Sequence, residues 1–560
     1  MTLSFRSPQE IGQALQQAVA LQQRGELREA EKIYARVLKA VPDQFDALNL
    51  LGTIKVQRGQ AGEALRLINA ALKVNPRVPD AWVNRGIALH ALKRDDEALA
   101  SFDQALALNP ADIGAVNQRG NVLLGLGRHR DALAAFDRVL AAIPRHPEAR
   151  LNRGIALAAL GEPGPALVAF DAVVALSPGN AAAHYNRGIA LFDLGRYAEA
   201  VAASERALAL APDHVKALHN RGLALQALNR FQDALASYDA AIARQKDYAD
   251  AHFNRALALL TVGEFRSGFA EYEWRWRRTG MPNERRGQGG PLWLGEFPLQ
   301  RKTILLQAEQ GLGDTIQFAR YVPLIAGMGA TVILEVQPEL VPLVAQIPGA
   351  STVVARGDAA PPSDLHCPLG SLPLALRTEA ATIPAEVPYV RSDPARVAKW
   401  QSRLGEPDGR GGPRIAIAWA GNPKHANDRN RSIALAQLAP LFSLNERFVS
   451  VQRDLRDDDA RVLAGHRQVM PIGDALDDFA DTAAVLDLVD LVITVDTSVA
   501  HLAGAMGRPV WILLPFSPDW RWGLAGDSSR WYPTARLFRQ SSPHDWTGVI
   551  AQVRKELESR

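Results

Sequence analysis

An α solenoid joined to an α/β domain of two parallel-sheet lobes is the fold class this sequence predicts. Two observations carry the prediction: residues that recur every 34 positions through the first half, and alternating strand and helix text in the second. A chain of 560 residues, 47% hydrophobic and 22% charged, is long enough for both.

The period is explicit. Gly52, Gly86, Gly120, Gly154, Gly188 and Gly222 stand 34 apart, with Ala18 and Ala256 extending the series. Pro42, Pro76, Pro110, Pro144, Pro178 and Pro212 keep the interval, as do Ala30, Ala64, Ala98, Ala132, Ala166, Ala200 and Ala234. Small residues let antiparallel helices approach, and a Pro ends the second helix before the next repeat. Stretches such as "AWVNRGIALHAL" and "DEALASFDQALAL" place apolar residues at helical spacing. This pattern resembles the tetratricopeptide (TPR) repeat. About eight repeats run from Ile11 to about Arg278, so the solenoid is assigned to residues 11–282, its end decaying into "EYEWRWRR".

The Gly, Pro and Arg text at 283–300 has no helical period and reads as a linker. Beyond it, "TILLQAE", "TVILEV", "RIAIAWAG", "RFVSVQ", "LVITVD" and "PVWILLP" are strand candidates, separated by helical stretches such as "DTIQFARYVPLIAGM" and "VAHLAGAM". Such alternation predicts parallel, doubly wound sheets. A first lobe is assigned to 301–395, an interlobe linker to 396–412, and a second lobe with a C-terminal helix to 413–560. Ligands of such sheets bind at the carboxyl ends of the strands.

Composition narrows the function classes. A net charge of +3 makes no case for nucleic acid or an anionic membrane surface. The lone cysteine, Cys367, excludes an internal disulfide and a cysteine zinc site, and suits a reducing cytoplasm. The N-terminal text lacks a signal-type apolar core, and no apolar run approaches 18 residues, so membrane insertion is not expected.

Three constellations carry chemistry. In "AEQGLGDTIQFARY", Gly311 and Gly313 follow a strand and open a helix, with Glu335 ending the next strand. A dinucleotide-binding enzyme is therefore a rival reading. Against it, Ile316 stands at the third glycine position, and Asp314 would meet a pyrophosphate at the helix N-terminus. Asp314 also reads simply as a helix cap. In "DLVITVDTSVAHLAGAMGRP", a strand ends at Asp496 and a helix opens at Thr497 and Ser498, with His501 one turn in. Free N–H groups and hydroxyls there suit a phosphate, although capping alone would explain the same residues. In "AWAGNPKHANDRNRS", Asn422, Lys424, His425, Arg429 and Arg431 form a basic loop after a strand, suited to an anionic leaving group or to plain solvation.

Together the three resemble the GT-B glycosyltransferases, in the heptosyltransferase-like branch. With "PLWLGE", "PDWRW" and "RWYPTARLFRQ" added, nearly the whole chain resembles bacterial proteins that fuse TPR repeats to such a domain, some of them flagellin glycosyltransferases transferring nonulosonic acids to Ser or Thr. Arg530 departs from that pattern, standing where the group has Pro before Trp531. The resemblance implies inverting transfer from a CMP- or NDP-activated sugar, without metal or resident cofactor. It implies Asp314 as catalytic base. The donor would fall to Asn422, Lys424, Arg431, Gln452, Asp496, Thr497, Ser498 and His501.

The acceptor, a polypeptide such as flagellin, would be held by the solenoid. Asn84, Gln118, Asn152, Asn186, Asn220 and Asn254 recur at one position of the repeat, and an amide can pair with any peptide backbone through its donor and its acceptor. The TPR arm of O-GlcNAc transferase, another TPR and GT-B fusion, is similar in using an Asn ladder to hold extended acceptor chains. Gln317 and Arg320 are assigned to the acceptor beside Asp314. Alternatively the amides, with the Arg that follows each, tie neighbouring repeats together. A TPR scaffold carrying an inactive transferase fold and a lipopolysaccharide-type transferase are the competing functions.

Overall fold

The computed structural model describes residues 7–279, 290–405, 412–425 and 427–560, and the chain divides after Ala217 into two compact units. From Pro8 to Tyr272, sixteen helices alternate as eight antiparallel pairs, opening with Pro8–Gln23 and Leu27–Ala40 and closing with Ala249–Thr261 and Phe265–Tyr272. Second helices end at Ala40, Val74, Leu108, Ala142, Leu176 and Leu210, each two residues before one of the periodic prolines.

The glycines work as close-approach points. A Cβ on Gly154 would sit 2.5 Å from Phe170 Cε1, and one on Gly86 would sit 2.7 Å from Phe102 Cε1. A ring of the second helix therefore packs against the glycine of the first at Gly86, Gly120, Gly154 and Gly222, with Ile68 taking that place at Gly52 and Ser204 at Gly188. A second glycine series turns the chain between paired helices at positive φ: Gly25, Gly59, Gly127, Gly161, Gly195 and Gly263, with Lys93 (φ 60°) and Asn229 (φ 58°) in register.

Four of the recurring arginines reach back sixteen residues to an Asp on the second helix of the preceding repeat, while Arg221 reaches forward to Ser237 Oγ at 3.0 Å. Arg119 pairs with Asp103 at 2.7 Å, Arg153 with Asp137 at 2.6 Å and Arg187 with Asp171 at 2.6 Å in the first unit. Arg255 pairs with Asp239 at 2.6 Å in the second.

The second unit holds the last helix pairs and two parallel sheets. The first sheet is built from β1 (Thr303–Gln307), β2 (Thr331–Val336), β3 (Ala350–Ala355) and β4 (Leu365–Pro368), in the order β3-β2-β1-β4. The second comprises β5 (Arg414–Ala418), β6 (Arg447–Ser450), β7 (Val469–Pro471), β8 (Leu491–Val495), β9 (Val510–Leu514) and β10 (Ala535–Arg539). Its order, β10-β9-β8-β5-β6-β7, reverses direction between β5 and β8, the switch point where doubly wound sheets bind ligands. Helix Thr547–Glu558 closes the chain.

Two of the expected linkers carry structure. Within 283–300, the described residues from 290 onward lie along the first sheet, where Trp293 is buried and its N–H donates to His366 O at 2.9 Å. Within 396–412, most described residues belong to a helix, Pro394–Leu404, whose Arg396 pairs with Asp478 at 2.7 Å and Asp481 at 2.9 Å. Residues 283–289 and 406–411, the rest of these segments, lie outside the described residues, as do 280–282 at the assigned end of the solenoid.

The end of the solenoid is built into the first lobe. After Tyr272 the helix tightens into a 3₁₀ turn, Glu273–Arg277. Arg275, 1% exposed, meets Glu273 at 2.5 Å and Glu309 at 3.1 Å and donates to Ser371 Oγ at 2.7 Å. Burial raises the Glu309 carboxyl, and the Arg275 charge opposes that shift. Asn229 Nδ2 donates to Phe516 O at 2.7 Å, and Phe269 meets Trp520 edge-on with ring centroids 5.6 Å apart.

The glycine contacts predict a contrast between repeats. Gly154→Ala gains helix propensity but overpacks against Phe170, and the unfolding midpoint should fall by an amount equivalent to about 1–2 kcal/mol. Gly188→Ala meets Ser204 Oγ at 3.2 Å, a looser contact, and should be neutral or stabilising. Thermal melts of both variants check the pair.

Candidate active site

The turn after β1 is set by short-range hydrogen bonds. Helix Leu312–Phe318 starts just past Gly311, whose N–H donates to Asp314 Oδ2 at 3.0 Å. Gln337, just after β2, braces this turn: its Nε2 donates to Gln310 O at 2.7 Å, and its Oε1 accepts from Thr315 Oγ1 at 2.9 Å. The turn after β5 has a matching brace in Gln452, beyond β6, whose Oε1 accepts from the N–H groups of Trp419 and Ala420, each at 3.1 Å. The Gln452 Nε2 donates to Asp454 O at 3.3 Å, so this amide, assigned from sequence to the donor, is spent on holding the turn.

At the end of β8, Thr497 caps helix Ser498–Ala505 with extended backbone, and Ser498 stands in its first turn. Arg431 Nη1 donates to Asp496 O at 3.0 Å and joins the β5 loop to the β8 end. A Cβ on Gly421 would lie 2.6 Å from Arg431 Nη2, so glycine makes room for this guanidinium. Asn422 and Lys424 are exposed on the same loop, the Lys424 N–H donating to Asn422 Oδ1 at 2.9 Å. Burial, then the neighbouring Asp519 charge, push the Asp496 carboxyl up to about 6.

His501 is buried, its Nδ1 2.9 Å from the Tyr532 hydroxyl and its ring stacked on Trp522 at 5.4 Å. Burial, with the charges of Arg521, Arg320 and Arg431, holds it well below the ordinary imidazole range, so it is neutral at pH 7.

The two helices meet at Gly313. A Cβ there would lie 2.8 Å from His501 Cδ2 and 3.4 Å from Ser498 Cα. Asp314, the next residue, thus stands beside the N-terminus of helix Ser498–Ala505. Its Oδ1 is held by Arg521 Nη2, a contact that reading the sequence missed. Arg521 is 8% exposed; it also pairs with Asp519 at 2.9 Å, donates to Gln317 Oε1 and stacks over Trp520 at 4.5 Å. "PDWRW" marks the position in the sequence, but its role needs the fold.

The remaining assignments divide. Gln317 and Arg320, expected to face the acceptor, are both buried. Gln317 accepts from Arg521, while Arg320 donates to Pro384 O at 3.1 Å, Trp531 O at 2.8 Å and the Tyr389 hydroxyl at 3.1 Å. Arg320 is thus spent on packing the fold, whereas Gln317 is tied to Arg521 through its Oε1 and its buried Nε2 has no partner among the described residues.

The repeated amides Asn84, Gln118, Asn152, Asn186, Asn220 and Asn254 are all half-buried. Three reach the preceding repeat: Asn84 Nδ2 donates to Asn49 Oδ1 at 3.1 Å, Asn152 Nδ2 donates to Asn121 Oδ1 at 2.8 Å, and Asn254 Nδ2 lies 2.8 Å from His219 Nε2. Asn186 Nδ2 donates to Ala182 O of its own helix at 2.8 Å. Ile316 fills core space where a dinucleotide fingerprint needs its third glycine, and Glu335 accepts from Gln307 Nε2 at 3.2 Å inside the sheet. Neither feature favours the dinucleotide reading.

An array of helix pairs carrying an α/β domain of two parallel sheets defines the class. Tetratricopeptide repeat models match residues 15–54, 51–113, 117–180 and 180–247, and the glycosyltransferase family 9 (heptosyltransferase) model matches residues 477–530. The latter stretch contains Asp496, Thr497, Ser498, His501 and Arg521 but not Asp314. Protein FlbA of Caulobacter vibrioides is 29% identical over 292 residues, 48% of each chain, so the match spans about half the length of that curated relative. A tetratricopeptide repeat protein of Parabacteroides merdae is 21% identical over 45% of this chain and 99% of its own, with a TM-score of 0.36. YrrB, described as a TPR protein with an unusual peptide-binding site, is 25% identical over 33% of this chain and 95% of its own, with a TM-score of 0.29. The chain is a fusion of TPR repeats with a glycosyltransferase-like domain.

The neutral His501 has a consequence for acid stability. Its folded-state pKa is depressed, so its contribution is complete above the unfolded value of about 6.5 and is lost as pH falls below it. Asp496 has the opposite sign: its raised pKa costs stability as pH climbs through about 6. Replacing His501 with Gln should therefore shrink the stability lost between pH 7.5 and 5.5 by about 1 kcal/mol. Denaturant melts of parent and variant at both pH values measure the difference.

Proposed function

We propose that this chain is an inverting, metal-independent glycosyltransferase of the GT-B kind, moving a sugar from a nucleotide-activated donor to a Ser or Thr hydroxyl of a polypeptide. The observation that carries the reading is the meeting at Gly313, which sets Asp314 of one lobe against the N-terminus of helix Ser498–Ala505 in the other. A base and a phosphate site on opposing lobes are what single-displacement sugar transfer needs. The Asp314 carboxylate takes the hydroxyl proton while the acceptor oxygen bonds to the anomeric carbon, and the bond to the leaving phosphate breaks. The helix N-terminus, the hydroxyls of Thr497 and Ser498, and the Arg431 and Lys424 cations stabilise the charge gathering on that phosphate.

The solenoid supports a polypeptide acceptor, flagellin being the candidate from resemblance. The amides are half-buried and so partly open to solvent, and although Asn84, Asn152 and Asn254 also reach the preceding repeat, Asn186 bonds only within its own helix among the described contacts, so tying repeats together does not account for every one of them. The sugar is a nonulosonic acid in the same reading.

Intact-protein mass measurement of flagellin, incubated with the enzyme and candidate CMP- or NDP-sugars, tests the proposal. The parent should add the mass of one or more sugar residues, whereas Asp314→Asn should slow addition by about 10²–10⁴-fold. Parent-like turnover in the variant would reject Asp314 as the base. Chelator should leave the rate unchanged; activity lost with EDTA and restored by magnesium or manganese would reject the metal-free phosphate site. Substituting Asn152, Asn186, Asn220 and Asn254 together with Ala should abolish modification of the full-length acceptor in a protein still folded by circular dichroism. Undiminished modification would make the amides purely structural.

A further inference from the structure

We propose that Arg521 is a positioning residue shared between base and donor: without donor its guanidinium holds Asp314, and the donor phosphate competes for that guanidinium and frees the carboxylate for the acceptor hydroxyl. This rests on the reading of Asp314 as base and of helix Ser498–Ala505 as phosphate site.

The turn Trp520–Trp522 lies between the two helices that meet at Gly313. Its middle residue grips Asp314 on helix Leu312–Phe318, and the next, Trp522, stacks on His501 of helix Ser498–Ala505. Every nitrogen of the Arg521 guanidinium is engaged: Nη2 with Asp314, Nη1 with Asp519 and Nε with Gln317. One buried cation thus answers two carboxylates. A phosphate at the helix N-terminus adds a third negative charge beside them, and the single guanidinium charge, its fork aligned on Asp314 and Asp519, turns toward it at the expense of those pairs. Asp519, two residues away on the same turn, moves with the arginine, whereas Asp314 belongs to the other lobe. The bond to Asp314 is the one released.

Competition for one group is reciprocal: whatever Asp314 costs the phosphate, the phosphate costs Asp314. Removing the Asp314 charge should therefore tighten nucleotide binding, the reverse of what loss of a binding residue does. Asp314→Asn is the conservative probe, because an amide oxygen can still accept the Gly311 N–H.

Isothermal titration calorimetry of the full-length chain with CMP, UDP, GDP and ADP reads the effect, using whichever binds the parent most tightly. Asp314→Asn should bind that nucleotide about fivefold more tightly or better. Arg521→Lys, which keeps the charge but loses the fork, should bind it more weakly, and the gain from Asp314→Asn should largely vanish in the Arg521→Lys background. Equal or weaker binding by a folded Asp314→Asn protein would overturn the proposal while leaving the transferase reading standing. A gain that persists in full in the double variant would also overturn it, by assigning the effect to repulsion between Asp314 and phosphate. If the parent binds none of the four, the phosphate site itself fails, and the proposal with it.

Discussion

The site depends on two helices approaching more closely than any side chain would allow. At Gly313 the first turn of helix Leu312–Phe318 meets Ser498 and His501, and a single methyl group would collide with the His501 ring. This contact brings a carboxylate from one parallel sheet to a helix N-terminus of the other. Around it the protein has withdrawn charge from water: Arg521 is buried against Asp314 and Asp519, Asp496 is pushed toward neutrality, and His501 is kept neutral. A buried guanidinium needs its carboxylates to offset desolvation. The same bonds that hold the lobes together are therefore bonds to the functional groups.

The strands show what sequence alone can reveal. All six strands recognised from their text, β1, β2, β5, β6, β8 and β9, lie inside their sheets, where burial on both faces produces unbroken apolar runs. The four that escaped, β3, β4, β7 and β10, are the four sheet edges. β3 is half-exposed throughout, β7 has three residues, and β10 carries two arginines. An edge strand that faces solvent along one side carries less of the apolar signal that marks a strand, while β4, buried and flanked by Leu292 and Trp293, is short, four residues with His366 and Pro368 among them.

The site was legible to a similar degree. Asp314 and the run from Asp496 to His501 stand at ends of interior strands, where chain direction alone brings them to the ligand side. Gln452, Gln317 and Arg320 have the right chemistry at nearby positions, yet each is buried and bonded to its own chain. Polarity near a strand end does not distinguish a ligand group from a brace. Arg521 and Arg275 were hidden for the opposite reason: their partners lie far away in sequence, on other elements.

The two members of the repeated Asn-Arg pair differ in the regularity of their partners. The arginine reaches the preceding repeat in the first unit and again in the second, an ion pair replicated with the period. The asparagines vary in partner, from another Asn to a His to a backbone carbonyl, and all stay half-buried. A crystal structure with a bound nucleotide-sugar tests the proposed role of the Gly313 junction. A donor phosphate should lie within hydrogen-bond distance of the Ser498 N–H and hydroxyl, with the anomeric carbon facing Asp314. A nucleotide bound away from that helix, with Asp314 turned from the sugar, would contradict it.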